Sequence, residues 1–188
     1  MMARPSARYV ALLRGINVGG HRVSMNELRA LFEAQGFTNV ETFIASGNVI
    51  FDVSPTIAAS TLETRIEKSL GEALGYAVPT FLRTPAELAA AASHTPFSAK
   101  DANSPNHRIH VGFLRTPPTA AFARELATLA TSYDAFAVNG REMYWLTRGG
   151  FSDTLVPWVK FEKRLKLELT MRNMATVSKL VAKYAARP

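Results

Sequence analysis

The chain has 188 residues, of which 47% are hydrophobic and 20% charged, with a formal net charge of +7 and no cysteine. This apolar fraction excludes a disordered chain, and the lack of cysteine excludes disulfide frameworks, thiolate metal sites and cysteine nucleophiles. Because no run of about 18 apolar residues suggests a membrane span and residues 1–8 lack the apolar core of a secretory signal, we predict a cytoplasmic protein with no membrane partner.

The first half of the chain predicts four strands and two helices in the order β-α-β-β-α-β. A capping box from Ser24 to Glu27 marks the first helix start, and Ser54-Pro55 marks the second, because proline suits the first helical position. Glycine is placed to close both helices. The predicted elements are a strand at 8–13, a helix from Ser24 to Gly36, strands at 40–45 and 48–53, a helix from Ser54 to Gly75 and a strand at 77–83.

The second half repeats this order after a connecting segment. A second capping box, Thr84 to Glu87, starts a connecting helix, and a polar loop from Ser93 to Asn106 follows it. Asn139-Gly140 is the strongest short hairpin signal in the chain. The predicted elements are a strand at 108–114, a helix at about 119–131, strands at 133–138 and 141–147, a helix at about 155–165, a strand at about 167–170 and a helix at about 173–186.

These elements predict an α+β fold of two tandem ferredoxin-like halves with a connecting helix and a C-terminal helix. The predicted parts are a first half at 1–83, a connecting helix and linker loop at 84–106, and a second half with the C-terminal helix at 107–188. Ferredoxin-like modules that bind RNA stack bases on exposed aromatic rings. Here His110 stands where such a ring is expected, and Tyr144 and Trp145 are predicted to cover a hairpin, so the match to those modules is weak.

The first candidate site is the loop from Arg14 to Arg22, which contains Asn17, Gly19 and Gly20. Glycines between a strand and a helix allow close backbone approach to a ligand, and their amides can cradle an anion. The flanking arginines could hold a phosphate or carboxylate. The spacing matches neither nucleotide-binding glycine motif, and the alternative is that these glycines only serve a tight loop.

Two further motifs are candidates for the same ligand. Ser46-Gly47-Asn48 supplies the polar side chains of Ser46 and Asn48, although a plain hairpin turn explains them as well. The segment beginning at Arg172-Asn173 is predicted to lie at the start of the last helix, where free backbone amides favour an anion. Capping accounts for Asn173 but not for Arg172. The predicted binding residues of this segment are Arg172, Asn173, Thr176 and Lys179.

The basic charge is concentrated near the C-terminus, because residues 160–188 carry +6 of the net charge. Such a segment can follow a phosphate backbone or simply be a solvated face. The histidines His21, His94, His107 and His110 lack metal-ligand spacing, so we predict neither a metal nor a cofactor. No pair of carboxylates is placed as general acid and base.

Several motifs resemble a bacterial family catalogued as domain of unknown function 1697. They are the stretch Ala11 to Gly20 with Met25 and Leu28, the stretch Ser46 to Phe51, and Arg172-Asn173 with Thr176, Val177, Lys179 and Leu180. The resemblance implies two ferredoxin-like halves and no known activity. The chain departs from the family pattern at Met174-Ala175, where Trp-Asn is usual, and at Gly150 to Leu155, where the family tends to have Ser-Lys-Leu.

The sequence leaves four functions open. The first hypothesis is a protein that binds a small anionic or phosphorylated ligand between the Arg14–Gly20 loop and the Arg172-Asn173 motif. The others are weak non-specific nucleic-acid binding by the basic C-terminal segment, an enzyme acting on a phosphate-containing substrate, and an interaction module without a ligand. An enzyme would have only Ser46, Thr170, Thr176 and His21 as reactive groups beside these motifs.

Overall fold

The structure is a computed structural model that describes residues 6–165 and 167–184. Predicted features at Lys166 and Arg187, and the end of the last predicted helix at residue 186, lie outside the described residues. The chain divides into two compact units, Met1–Glu87 and Leu88–Pro188. Each unit combines helices with one four-stranded antiparallel sheet, so the predicted α+β class is confirmed.

The first unit has the predicted order of elements, and its four strands form one sheet in the order β2-β3-β1-β4. Both helices pack on one sheet face, where an apolar core forms around Phe32, Phe51 and Leu62. The elements are β1 (Ala7–Leu13), α1 (Met25–Glu33), β2 (Thr38–Phe43), β3 (Asn48–Val53), α2 (Ala59–Leu74) and β4 (Thr80–Arg83).

The second unit repeats the order, with its sheet strands arranged β6-β7-β5-β8. Phe122, Trp145 and Phe161 belong to the core between the sheet and two helices. The chain elements after β4 are α3 (Pro85–Ser93), α4 (Ala99–Ala102), β5 (Arg108–Leu114), α5 (Ala120–Ala127), β6 (Asp134–Asn139), β7 (Glu142–Thr147), a 3-10 turn (Phe151–Asp153), α6 (Trp158–Leu165), β8 (Leu169–Asn173) and α7 (Met174–Tyr184).

Local signals located several element ends correctly. The Ser24 Oγ accepts from the Glu27 amide at 3.1 Å. The Thr84–Glu87 box closes in both directions, at 3.2 Å and 2.8 Å. Gly75 ends α2 in the left-handed conformation, with φ of 77°.

Other predicted boundaries were wrong for identifiable reasons. Helix α2 begins at Ala59 and not at Pro55, because the Ser54 hydroxyl contacts the Thr56 hydroxyl at 3.0 Å and caps no helix amide. Helix α1 ends at Glu33, since a series of tight turns follows it before Gly36. The predicted polar loop contains α4, which Ser98 caps through the Asp101 amide.

A partly buried ion pair connects β1 to β3 in the first unit. Arg8 donates to both carboxylate oxygens of Asp52, at 2.7 Å and 2.9 Å, and Asn39 donates a third hydrogen bond at 2.8 Å. The hydrogen bond from Arg8 lowers the pKa of Asp52 below its usual range, against the opposing effect of burial. The ionised carboxylate is therefore the form that stabilises the fold.

We expect the Arg8→Gln variant to be less stable by about 1–3 kcal/mol at pH 7, because Asp52 loses its charged donor. The pKa of Asp52 is lower in the folded state than in the unfolded state, where it is near 4. Its contribution to the free energy of unfolding is therefore fully present at a pH above about 4 and is lost as the pH falls through the folded-state pKa. Urea unfolding at pH 7 and pH 3 measures the effect. A difference between variant and parent that does not shrink at the lower pH would contradict this role of Asp52.

The edge strand β4 is covered by two carboxylates of α2. Glu67 accepts from the Thr80 amide at 2.7 Å, and Glu63 accepts from the Leu82 amide at 2.9 Å. Four residues of helix rise about 6 Å and two residues of strand about 6.8 Å, so side chains one helical turn apart match alternate amides of a strand. The outward amides of this edge are therefore satisfied inside the unit.

Candidate functional site

The β1–α1 loop, residues 14–24, carries the first candidate motif. Gly15, Asn17 and Gly19 have positive φ angles of 82°, 56° and 59°, whereas the intervening Ile16 and Val18 do not. Residues whose φ sign alternates, as it does from Gly15 to Gly19, can turn backbone amides toward one side, as in anion-binding backbone nests. Gly20, with a φ angle of 93°, follows Gly19 without a change of sign. The glycines predicted from the sequence are therefore needed for this backbone path.

The amides of this loop are available to a ligand. Within the part of the chain that the structure describes, the amides of Gly15, Ile16, Asn17, Gly19 and Gly20 have no hydrogen-bond acceptor. A Cβ added at Gly15, Gly19 or Gly20 would meet no atom within 4 Å. Gly19 and Gly20 are also exposed, so open space lies beside their backbone.

Asn17 holds the loop in place. Its Oδ1 accepts from the Val23 amide at 2.9 Å, and its Nδ2 donates to the Ala45 carbonyl at 3.2 Å. The predicted ligand residue Asn17 thus uses both ends of its side chain inside the protein. Its role in the site is to position the loop against the β2–β3 connection, residues 44–47.

The second candidate motif lies directly against the first. The Leu13 amide donates to the Gly47 carbonyl at 2.8 Å, and a Cβ at Gly47 would lie 3.0 Å from the Ile16 Cβ. The structure therefore brings the Arg14–Gly20 and Ser46–Asn48 motifs together. Strand β3 begins at Asn48, as predicted, but β2 ends at Phe43 and not at residue 45, so the turn comprises residues 44–47.

Ser46 and Asn48 are both used within the connection. The buried Asn48 donates through Nδ2 to the Phe43 carbonyl at 2.9 Å and to the Ser46 Oγ at 3.0 Å. These bonds close the loop end of the β2–β3 pair. Ser46 is exposed, and its Oγ accepts from the Asn48 side-chain amide, which is not a base that would activate a nucleophile.

An aromatic pair lies beside the glycine loop and was not predicted. The His21 ring stacks on the Tyr76 ring with centroids 3.8 Å apart. The Tyr76 hydroxyl is buried and has no hydrogen-bond partner among the described residues. Burial, reinforced by the charge of Glu27, raises the pKa of Tyr76. No sequence signal links residues 21 and 76, which only the fold brings together.

The cations of the loop differ in exposure. Arg14 is half-buried and has interactions of its own within the protein, whereas Arg22 is exposed. Arg22 therefore has greater freedom to reach an anion at the Gly19 and Gly20 amides. The positive charge of Arg22, which would attract an anion, is two residues from Gly20 in the chain.

The third candidate motif lies in the second unit, at the junction of β8 and α7. Arg172 belongs to β8, opposite Val111, and α7 begins two residues later at Met174. Arg172 is 6% exposed, and its Nη1 donates to the Thr170 Oγ1 at 2.8 Å and to the Met171 carbonyl at 2.9 Å. Burial lowers the pKa of Arg172 to about 10, so the guanidinium remains charged at neutral pH.

The other residues of this motif lie at the start of α7 or on it. The Asn173 Oδ1 accepts from the Ala175 amide at 2.8 Å, which is the capping role that the sequence left as an alternative. Thr176 is half-buried and Lys179 is exposed. Asn173 and Arg172 therefore differ in kind: one caps a helix, and the other is a buried strand cation.

Two surface depressions lie away from these motifs. One, of about 650 Å³, lies along α2, where Arg65 donates to the Gln35 carbonyl. The other, of about 480 Å³, lies in the second unit between Arg115 and Leu167. Neither includes a predicted binding residue.

Residues 6–165 and 167–184 contain neither a metal-binding cluster of side chains nor a membrane-spanning helix. Among these residues, no group of three or more His, Asp or Glu side chains is arranged to hold a metal ion. No helix there has both the length and the apolar character needed to cross a membrane.

Residues 7–144 match a family described as protein of unknown function, DUF1697. This chain belongs to that family. The matched range includes the glycine loop and the β2–β3 connection, but not Arg172 or Asn173. No curated protein matches the chain.

A solved structure of this fold comes from Streptococcus pneumoniae, where it is described as a conserved bacterial protein. It is 24% identical to this DUF1697 chain with a TM-score of 0.72, and the alignment covers 95% of this chain and 98% of that one. At this level of identity the likeness supports the fold and carries no activity.

Proposed function

We propose that this DUF1697 protein binds a small anion, of which phosphate is the simplest, at the Arg14–Gly20 loop. The observation that carries the proposal is the set of amides without an acceptor in the described part of the chain, at Gly15 to Asn17 and at Gly19 and Gly20, in a loop whose φ sign alternates from Gly15 to Gly19 and which also contains the exposed Arg22. Backbone amides in such a nest supply several donors to one anion, and an arginine adds a charge-assisted bond.

Two neighbouring features support the same proposal. The unpartnered Tyr76 hydroxyl provides a further hydrogen-bonding group near the loop, and buried polar atoms normally have a partner. Asn17 holds the loop through two hydrogen bonds, so little ordering is needed when an anion binds. A preorganised site loses less affinity to loop ordering.

The predicted binding residues Arg172, Asn173, Thr176 and Lys179 belong to the second unit, and we propose them as a separate group of anion-binding residues. Its support is the exposure of Lys179 and the position of Asn173 at the start of α7. Since Arg172 and Asn173 already have partners within the second unit, their contribution requires its own measurement. The titration below includes it.

We further propose that each half is ferredoxin-like. The support is the order β-α-β-β-α-β in each unit, with the first strand of each half placed between the third and the fourth.

Nucleic-acid binding by the basic C-terminal segment is the second candidate function. It is favoured by the exposure of Lys160, Lys163, Lys179 and Lys183. Against base stacking, the rings of Tyr144 and Trp145 are 0% and 1% exposed. The segment could therefore contact phosphates without reading bases.

Titration with inorganic phosphate, followed by the backbone amide resonances at constant ionic strength, tests the proposal. We expect saturable shifts at Gly19 and Gly20, and none at Gly71 in α2. The Arg22→Gln variant should bind about 3- to 10-fold more weakly, because it loses one charge-assisted hydrogen bond. Arg29→Gln is the matched control, since Arg29 is an exposed arginine on α1.

Three outcomes separate the possibilities. The loop site would be refuted if the amide resonances of Gly19 and Gly20 did not shift with phosphate. It would also be refuted if Arg22→Gln and Arg29→Gln lowered the phosphate affinity equally. Saturable shifts at Asn173 and Thr176 would support binding by the residues of the second unit, whereas unchanged amide resonances there would restrict binding to the loop. Shifts confined to α6 and α7 would favour the nucleic-acid alternative.

A further inference from the structure

Two apolar side chains protrude beside the proposed anion site. Val18 is 57% exposed and Ile44 is 48% exposed. Each is one residue away from an end of the hydrogen bond between the Asn17 Nδ2 and the Ala45 carbonyl, which is 3.2 Å long. Val18 in the β1–α1 loop and Ile44 in the β2–β3 connection therefore flank the hydrogen bond that joins these two segments.

The backbone of Ile44 is also unusual. Its φ angle is 51°, a left-handed conformation in which a β-branched residue is a genuine outlier. Asn or Gly would fit this conformation with less strain. Strained residues of this kind concentrate at ligand sites, and here the strained residue is an exposed isoleucine.

The size of the patch indicates what can cover it. Two side chains offer far less than the roughly 800 Å² that each partner contributes to a stable protein interface. They suit one apolar group of a small molecule. The polar half of the surroundings, Arg22 with the Gly19 and Gly20 amides, suits an anion.

We propose that the loop takes a small organic anion, a phosphomonoester whose apolar substituent covers Val18 and Ile44. This inference rests on the proposed anion site and specifies its ligand class. The phosphoryl group lies at the Gly19 and Gly20 amides, and the ester group extends over the two exposed side chains. Inorganic phosphate then makes only the polar half of the contacts.

The test compares phenyl phosphate, methyl phosphate and inorganic phosphate on the full chain by the same amide titration. Phenyl phosphate should bind about 10-fold more tightly than methyl phosphate, because a ring covers more apolar surface than a methyl group. Val18→Ser and Ile44→Asn should each reduce the ratio of the phenyl phosphate affinity to the methyl phosphate affinity toward 1. Each should change the methyl phosphate affinity by less than about twofold. Leu155→Ser, which replaces a 95% exposed leucine in the other unit, should leave the ratio unchanged.

Thermal unfolding and sedimentation complete the experiment. Ile44→Asn removes the strain of a β-branched residue in the left-handed conformation, so the melting temperature of the variant should equal or exceed that of the parent. A reduced preference of this variant for phenyl phosphate then cannot be ascribed to unfolding. Equal affinity for the two esters, or a ratio unchanged in both variants, would overturn this inference alone. A concentration-dependent dimer that Ile44→Asn dissociates would also overturn it. If no phosphate compound moves Gly19 or Gly20, the proposed function fails and this inference with it.

Discussion

The Gly47→Ala variant should lose about 2–5 kcal/mol of unfolding free energy. Gly47 has a φ angle of 76°, and the added Cβ would lie 3.0 Å from the Ile16 Cβ and 3.2 Å from the Leu13 Cβ. A left-handed alanine costs about 1–2 kcal/mol, and overpacking adds about 1–3 kcal/mol. Both neighbouring atoms are fixed to the backbone, so relief requires the two loops to separate.

Gly36→Ala is the matched control for this prediction. Gly36 belongs to the same unit and has a φ angle of 79°, but a Cβ there would meet no atom within 4 Å. It should therefore show only the conformational cost of about 1–2 kcal/mol. Urea unfolding of the two variants measures the difference. Equal losses would mean that contact between the loops adds nothing to stability.

Because the glycine loop rests on Gly47, the same variant should weaken phosphate binding. We expect a lower phosphate affinity although the substitution removes no group that contacts the ligand, since no ligand contact is assigned to Gly47. Gly36→Ala should bind phosphate as the parent does. This pair separates positioning of the loop from stability of the unit.

The second large effect is expected at Glu63, which is 5% exposed and accepts from the Leu82 amide. Glu63→Leu preserves much of the volume but leaves a buried N–H without an acceptor, at a cost of about 1–3 kcal/mol. Glu63→Gln keeps a carbonyl oxygen at the same place and should lose less. Thermal unfolding of both variants provides the comparison.

The order of the two Glu63 variants is the decisive result. If Glu63→Leu proved as stable as Glu63→Gln, the hydrogen bond to the strand would contribute nothing net, and packing alone would explain the burial of this residue. A larger loss in Glu63→Leu would establish the carboxylate as an acceptor for the strand edge.

Sequence patterns located elements whose signals are local. The capping boxes at Ser24 and Thr84 each join residues three apart, and Gly75 supplies a conformation that glycine adopts readily. Such contacts form within a few residues, so they can be recognised without knowing the fold. The element order, and with it the α+β class, follows from these signals.

The candidate site was predictable only in its backbone part. Three glycines within six residues marked the loop. The position of Arg172 in β8 depends on pairing with β5, which the sequence around it does not show. The stack of His21 on Tyr76 joins a residue before α1 to a residue after α2, which are far apart along the chain. The strain at Ile44 is a property of the connection between strands and has no signal in residue type, because isoleucine ordinarily favours an extended conformation.

The carboxylates over β4 also bear on how copies of this chain can assemble. An uncovered strand edge is a template for pairing with another chain, and the outward Thr80 and Leu82 amides already have intramolecular acceptors. At the opposite edge, β2 is irregular between Thr38 and Glu41, and a bulged edge pairs poorly with a straight strand. The first unit is thereby protected at both edges against sheet extension and fibrous aggregation.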